Sequence, residues 1–106
     1  MIVVLDACVL YPPSPRDLLL TLTALDAFDV RWSDEILDEV TRNVLADLPD
    51  IEETRFVEHT IGAMRRAFPE APVDAPAELV VKLDNHPKDR HVAATALAAG
   101  ADAIVT

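Results

Sequence analysis

Nineteen of the 106 residues are Asp or Glu against nine Lys or Arg, and the net charge is −10. Most of these acids must be solvated surface, so the informative ones are those that surface does not explain. Asp6 follows the aliphatic run Ile2-Val3-Val4-Leu5 directly. Glu39 falls on the flank of an apolar helical face. Asp89 stands at the head of an Ala-rich helical stretch. Each also has a plainer structural reading. Asp6 suits a turn residue that accepts a local backbone hydrogen bond. Glu39 suits a boundary residue whose stem covers apolar surface while its carboxylate reaches water. Asp89 suits a helix cap. Together the three offer a specific chemistry. Mg²⁺ takes oxygen ligands, commonly one or two carboxylates, and keeps several waters. One or two such ions can acidify an attacking water and stabilise a leaving oxygen, so phosphodiester hydrolysis then requires no side-chain nucleophile.

The elements that must hold these acids follow from the pattern. Residues 2–5 read as a strand buried on both faces, as in a parallel sheet. It ends at Asp6 and a Pro-rich turn, Tyr11-Pro12-Pro13-Ser14-Pro15. A helix then runs from Pro15, capped by Ser14, to about Phe28, with Leu18, Leu19, Leu22 and Leu25 inward. Val30-Arg31-Trp32 is a second strand. Ser33 caps a helix to about Asp47, with Asp34 and Glu35 in its first turn, where the dipole favours them. At ~100° per residue, Ile36, Leu37, Val40, Val44 and Leu48 share its apolar face. Glu35 and Asp38 lie toward solvent, and Asp47, though near the apolar face, is in the last turn and frays to solvent. Asp50 and Glu53 resemble a capping box for a third helix ending by Pro69. Residues 70–75 form a loop, a short helix occupies about 77–82, and Asp84-Asn85-His86-Pro87 is a turn. Asp89 to Ala99 is a closely packed helix closed by Gly100. Ala103 to Thr106 is a last buried strand. This order predicts one α/β domain over residues 1–106, with a central parallel sheet flanked by helices. In such sheets, sites lie beyond the carboxyl ends of strands, where Asp6 falls.

Composition narrows the classes. An apolar share of 51% argues against disorder. No apolar run approaches the ~20 residues that span a bilayer. The opening residues lack the basic segment and cleavage site of a signal peptide. The single cysteine, Cys8, forms no internal disulfide and reads as a small core hydrophobe in a reduced, cytosolic setting. His59 and His86 read as surface residues. His91, in the first turn of the Ala-rich helix, approaches the acids or makes a structural hydrogen bond, and the three His lack zinc spacing. Two glycines, Gly62 and Gly100, exclude a Gly-rich phosphate loop. A haloacid-dehalogenase-type phosphotransferase needs a second Asp two positions after the first, where this chain has Cys8.

Three blocks carry a resemblance. The stretch "VVLDACVLYPPSPRDLLLTLT" resembles the opening of PIN domains of the VapC-like toxin group. "RWSDEILDEVTRNVL" resembles that group's second block, and "NHPKDRHVAATALAAGADAIVT" its third. The blocks stand in the family's order and cover most of the chain. The resemblance implies a PIN-like α/β fold with a central parallel sheet. It also implies an endoribonuclease that uses Mg²⁺ or Mn²⁺. Position by position, Asp6 matches the first-strand acid, Glu39 the glutamate of the "EILDEV" helix, and Asp89 the aspartate of "KDRH". An attacking water at the metal would leave a 5′-phosphate and a 3′-hydroxyl. Lys88 and Arg90 are candidate contacts to RNA phosphates, or else solvated charges at a helix start. A cognate antitoxin is the implied protein partner, with its tail over the acidic site, and homodimers are common in the family.

The family continues after "AIVT" with a loop bearing a further acid, a helix and a last strand, whereas this sequence stops at Thr106. The expectation is a PIN domain lacking those parts, with weaker metal affinity and an open sheet edge that seeks a partner strand. The alternative is an inactive PIN-like module that binds an antitoxin or a second copy of itself. Metal binding and RNA cleavage separate the two.

Overall fold

A computed structural model describes residues 1–10, 17, 20–21, 23–24, 26–76 and 90–106. Its frame is the strand β1, Ile2–Leu5, in which Val3, Val4 and Leu5 are buried. Each such side chain contributes about 1.5–3 kcal/mol by leaving water. The strands β2 (Asp29–Arg31) and β3 (Ala103–Val105) pair with β1 on either side, giving the order β2-β1-β3. Both pairings are parallel, with Val3 opposite Val30 and Ala103. All three strands therefore end at one edge of the sheet. The α/β class and the parallel sheet are as the sequence predicts. The expectation of a buried last strand is corrected: among the described residues β3 pairs with β1 alone, and Ile104 is 41% exposed.

A helical turn, α1 (Ala7–Leu10), begins immediately after β1 and buries Ala7 and Leu10. The sequence reading passes from Asp6 straight to the Pro-rich turn and misses it, because four residues carry no helical period. Cys8 is corrected with it. Ala7 and Leu10 take the inner face of this turn, and Cys8 is left exposed. Of the helix expected from Pro15 to Phe28, the described residues Asp17, Leu20, Thr21, Thr23 and Ala24 are helical. The helix ends earlier than expected, since Asp26 takes φ 60° and its N–H donates to Thr23 O at 3.0 Å. Asp tolerates this left-handed geometry better than most residues. The inward Leu18, Leu19, Leu22 and Leu25 lie outside the described residues.

The helix α2, Asp34–Asp47, matches its prediction at both ends. Ser33 is the cap, with its Oγ accepting from Ile36 N at 3.1 Å. Ile36, Leu37, Val40 and Val44 are buried in the core, and α2 packs against α1. Leu48 is a correction: it is the residue that terminates the helix, and it is 52% exposed. Next come α3 (Glu53–Phe56), a π turn (Val57–Ile61) and α4 (Gly62–Ala67). The predicted capping box does not form. The cap is Glu52, which makes no side-chain cap bond, so Asp50 is not the first residue. Residues 71–73 run beside Trp32, with Trp32 N donating to Ala71 O at 3.0 Å and Val73 N to Trp32 O at 2.8 Å. Trp32 is fully buried and meets Phe68 edge-on, with ring centroids 6.1 Å apart.

The Ala-rich helix is α5, Arg90–Ala99, closed by Gly100 at φ 64°. Its close packing holds for the first half, where His91, Val92, Ala94 and Thr95 are buried. Leu97 is 59% exposed. The predicted helix at 77–82 and turn at 84–87 lie outside the described residues. No described helix is long and apolar enough to cross a membrane.

The cap at Ser33 sets where α2 begins, and hence which residues face the sheet. Ser33→Ala should lower unfolding free energy by about 1 kcal/mol, and Ser33→Asp should retain most of it. Urea denaturation followed by Trp32 fluorescence checks both.

Candidate functional site

β1 delivers Asp6 to the carboxyl edge of the sheet, flanked by the ends of β2 and β3. The β1–β3 ladder reaches as far as Asp6 itself, whose N–H donates to Val105 O at 3.1 Å. Its backbone carbonyl then accepts from Val9 N at 3.1 Å and Leu10 N at 3.3 Å, which starts α1. Of its two carboxylate oxygens, Oδ1 accepts from Ala7 N at 2.6 Å. Oδ2 accepts the Thr106 hydroxyl at 3.3 Å and lies 3.7 Å from Cys8 Sγ, whose thiol donates to it. Cys8 Sγ and Thr106 Oγ1 are 3.3 Å apart. Asp6 thus serves as the local turn acceptor through one oxygen. The other oxygen keeps only a hydroxyl and a weak thiol donor, which leaves it lone-pair capacity for a further partner.

Glu39 sits in the second turn of α2 with its side chain 30% exposed, as the flank position predicts. Its Oε2 is 3.8 Å from His91 Nε2 across the gap to α5. Glu35, one turn earlier, is more open at 61%, and its Oε2 is 3.9 Å from His91 Nδ1. Asp34 is held by Arg65 at 2.9 Å on the solvent side. Asp38 and Asp47 are exposed. Arg90 is half-buried at the first position of α5. Asp89 and Lys88 lie outside the described residues.

Asp6 therefore stands beside Cys8 and Thr106, and Glu39 beside His91. Among the described residues, no three of His, Cys, Asp and Glu converge as a metal-holding group. In kind, the donors suit a hard cation. Carboxylate oxygens from Asp6 and Glu39 and the hydroxyl of Thr106 are the ligand types that Mg²⁺ and Mn²⁺ prefer, while the soft thiol of Cys8 is not.

Three neighbours of these acids escape a reading of the sequence as a string. Cys8 belongs beside Asp6 through the α1 turn, and Thr106 because β1 and β3 are adjacent and parallel. Once that pairing is known, the residue following each strand must be neighbour to the other. His91 stands out only as a residue near the acids. That its ring lies between Glu35 and Glu39 depends on how α2 and α5 pack. Comparison of the chain with family models, with curated proteins and with solved structures gave no significant match.

The Asp6 carboxylate has a structural duty separable from any chemistry. Asp6→Asn keeps a side-chain acceptor for Ala7 N and should unfold like wild type. Asp6→Ala loses it and should be less stable by about 1 kcal/mol. Thermal melts of the two variants distinguish these outcomes.

Proposed function

We propose that this chain is a cytosolic metal-dependent endoribonuclease of the VapC-like PIN kind, with Asp6, Glu39 and Asp89 as the carboxylates that hold Mg²⁺ or Mn²⁺. The observation that carries the reading is the position of Asp6. A carboxylate stands at the carboxyl end of the middle strand of a parallel sheet, with one oxygen anchored by Ala7 N and the other turned to polar neighbours. This is the edge at which open parallel sheets bind ligands. The three resembling sequence blocks support the same reading, and they supply Asp89 as the third acid.

Bound there, the cation supplies a more acidic attacking water and charge stabilisation for the leaving oxygen. The chain's own residues do the rest. Asp6 is fixed by its backbone contact, so it is oriented before any ligand arrives. Glu39 offers its carboxylate from a rigid helix. Lys88 and Arg90, beside Asp89, supply positive charge for RNA phosphates. That local charge matters because a chain of net charge −10 repels a polyanion elsewhere on its surface. A cognate antitoxin is the proposed protein partner.

The test is a calorimetric Mn²⁺ titration of the 106-residue chain beside Asp6→Asn and Glu39→Gln, with all three assayed on single-stranded RNA. The reading predicts saturable binding and cleavage in wild type, and loss of both in Asp6→Asn with the melting temperature kept. Cleavage that persists undiminished in Asp6→Asn contradicts the assignment of that residue. A wild-type chain that neither binds Mn²⁺ nor cuts RNA replaces the reading with an inactive interaction module.

A further inference from the structure

His91 is 8% exposed, and the proposed chemistry gives it no task. Its ring lies between two carboxylates of α2 that are one turn apart. Glu35 Oε2 is 3.9 Å from Nδ1, and Glu39 Oε2 is 3.8 Å from Nε2. Both distances are slightly beyond direct hydrogen bonding, so a small side-chain rotation or one bridging water closes either of them. A neutral imidazole carries one N–H and one lone pair. In that form it donates to one of these acids and turns a lone pair toward the other.

Two observations choose between them. Glu39 is the less exposed acid, at 30% against 61% for Glu35, so it has less water to solvate it and gains more from a fixed donor. Nδ1 is buried and without a hydrogen-bond partner among the described residues. His91 lines a cleft of about 150 Å³ together with Ser33, Glu35, Asp74 and Thr95. Ser33 Oγ accepts from Ile36 N, and its hydroxyl keeps a proton and a second lone pair for water in the cleft. Water in that polar cleft has partners and can donate to an Nδ1 lone pair.

We propose that His91 is a positioning residue: as the Nε2–H tautomer it donates to Glu39 and holds that carboxylate in one orientation for the cation. Its consequence for metal affinity rests on the metal-centre reading above, while the tautomer and the contact do not. Removing the hydrogen-bond partner of a ligating group weakens metal binding by roughly 10–100-fold. His91 therefore acts on the cation through Glu39 and touches neither substrate nor metal.

The experiment has a metal-free arm and a metal arm. In the first, ¹⁵N NMR of the imidazole rings at neutral pH, assigned with a His91 variant, reads the tautomer of His91 directly. The expected result is a proton on Nε2 alone, with an Nε2 resonance that moves in Glu39→Gln and stays put in Glu35→Gln. A proton on Nδ1 alone, protons on both nitrogens, or an Nε2 resonance indifferent to Glu39→Gln overturns the proposal whatever the metal does. In the second arm, Mn²⁺ is titrated into wild type, His91→Ala, His91→Gln and His91→Asn. His91→Ala should bind roughly 10–100-fold more weakly. His91→Gln, whose amide reaches the place of Nε2, should recover most of that loss, and His91→Asn should not. Equal affinity in all four chains, or a His91→Gln chain as weak as His91→Ala, overturns the positioning role. A wild-type chain that binds no Mn²⁺ overturns the metal-centre reading and with it any action of His91 on a cation; the NMR result then separates that failure from a missing His91–Glu39 contact.

Discussion

The middle strand of this sheet has a parallel neighbour along each edge. Its backbone groups are committed to those neighbours, and Val3, Val4 and Leu5 have no solvated face on which to place a polar side chain. The first polar residue of the chain can appear only where the strand runs out, and that residue is Asp6. Parallel pairing brings the end of β3 to the same edge, so Thr106 and the α1 turn gather around it. The position of the first acid is thus a consequence of burying β1. A register slip or reversal of either neighbour would disperse the group.

The second acid depends on a different constraint, the phase of a helix. Ser33 fixes the start of α2, and the apolar residues Ile36, Leu37, Val40 and Val44 fix which side turns inward. Glu39 is then left on the flank, near α5, with Glu35 one turn before it. His91 fills the gap between the helices and is the buried polar group that both acids approach. Two negative side chains converging on one ring, in a chain already at −10, make this region a place where a positive partner is electrostatically welcome. In the proposed centre, a divalent cation reverses the local sign and lets an acidic protein accept a phosphate.

Features governed by local rules were legible in the sequence. The bounds of β1, the Ser33 cap, the extent of α2 and the Gly100 stop each rest on residues within a turn or two of one another. Asp6 and Glu39 were legible as candidates for the same reason: an acid that interrupts an apolar strand, and an acid on the edge of an apolar helical face. What escaped depends on pairing. The exposure of Ile104 goes with β3 pairing on one side alone among the described residues, which a buried-looking "AIV" run does not reveal. Cys8 reads as a core residue until the α1 turn gives the inner places to Ala7 and Leu10. The π turn at Val57–Ile61 leaves no periodic mark that distinguishes it from one continuous helix. Thr106 and His91 become neighbours of the acids only through tertiary contacts.

The central claim is that Asp6 and Glu39 contribute to one cation site. Anomalous scattering from crystals grown with Mn²⁺ tests it most directly. The account predicts a manganese peak at bonding distance from a carboxylate oxygen of Asp6 and from one of Glu39, absent in crystals of Asp6→Asn. A peak that contacts only one of the two acids, or well-ordered crystals with no manganese between them, would contradict it.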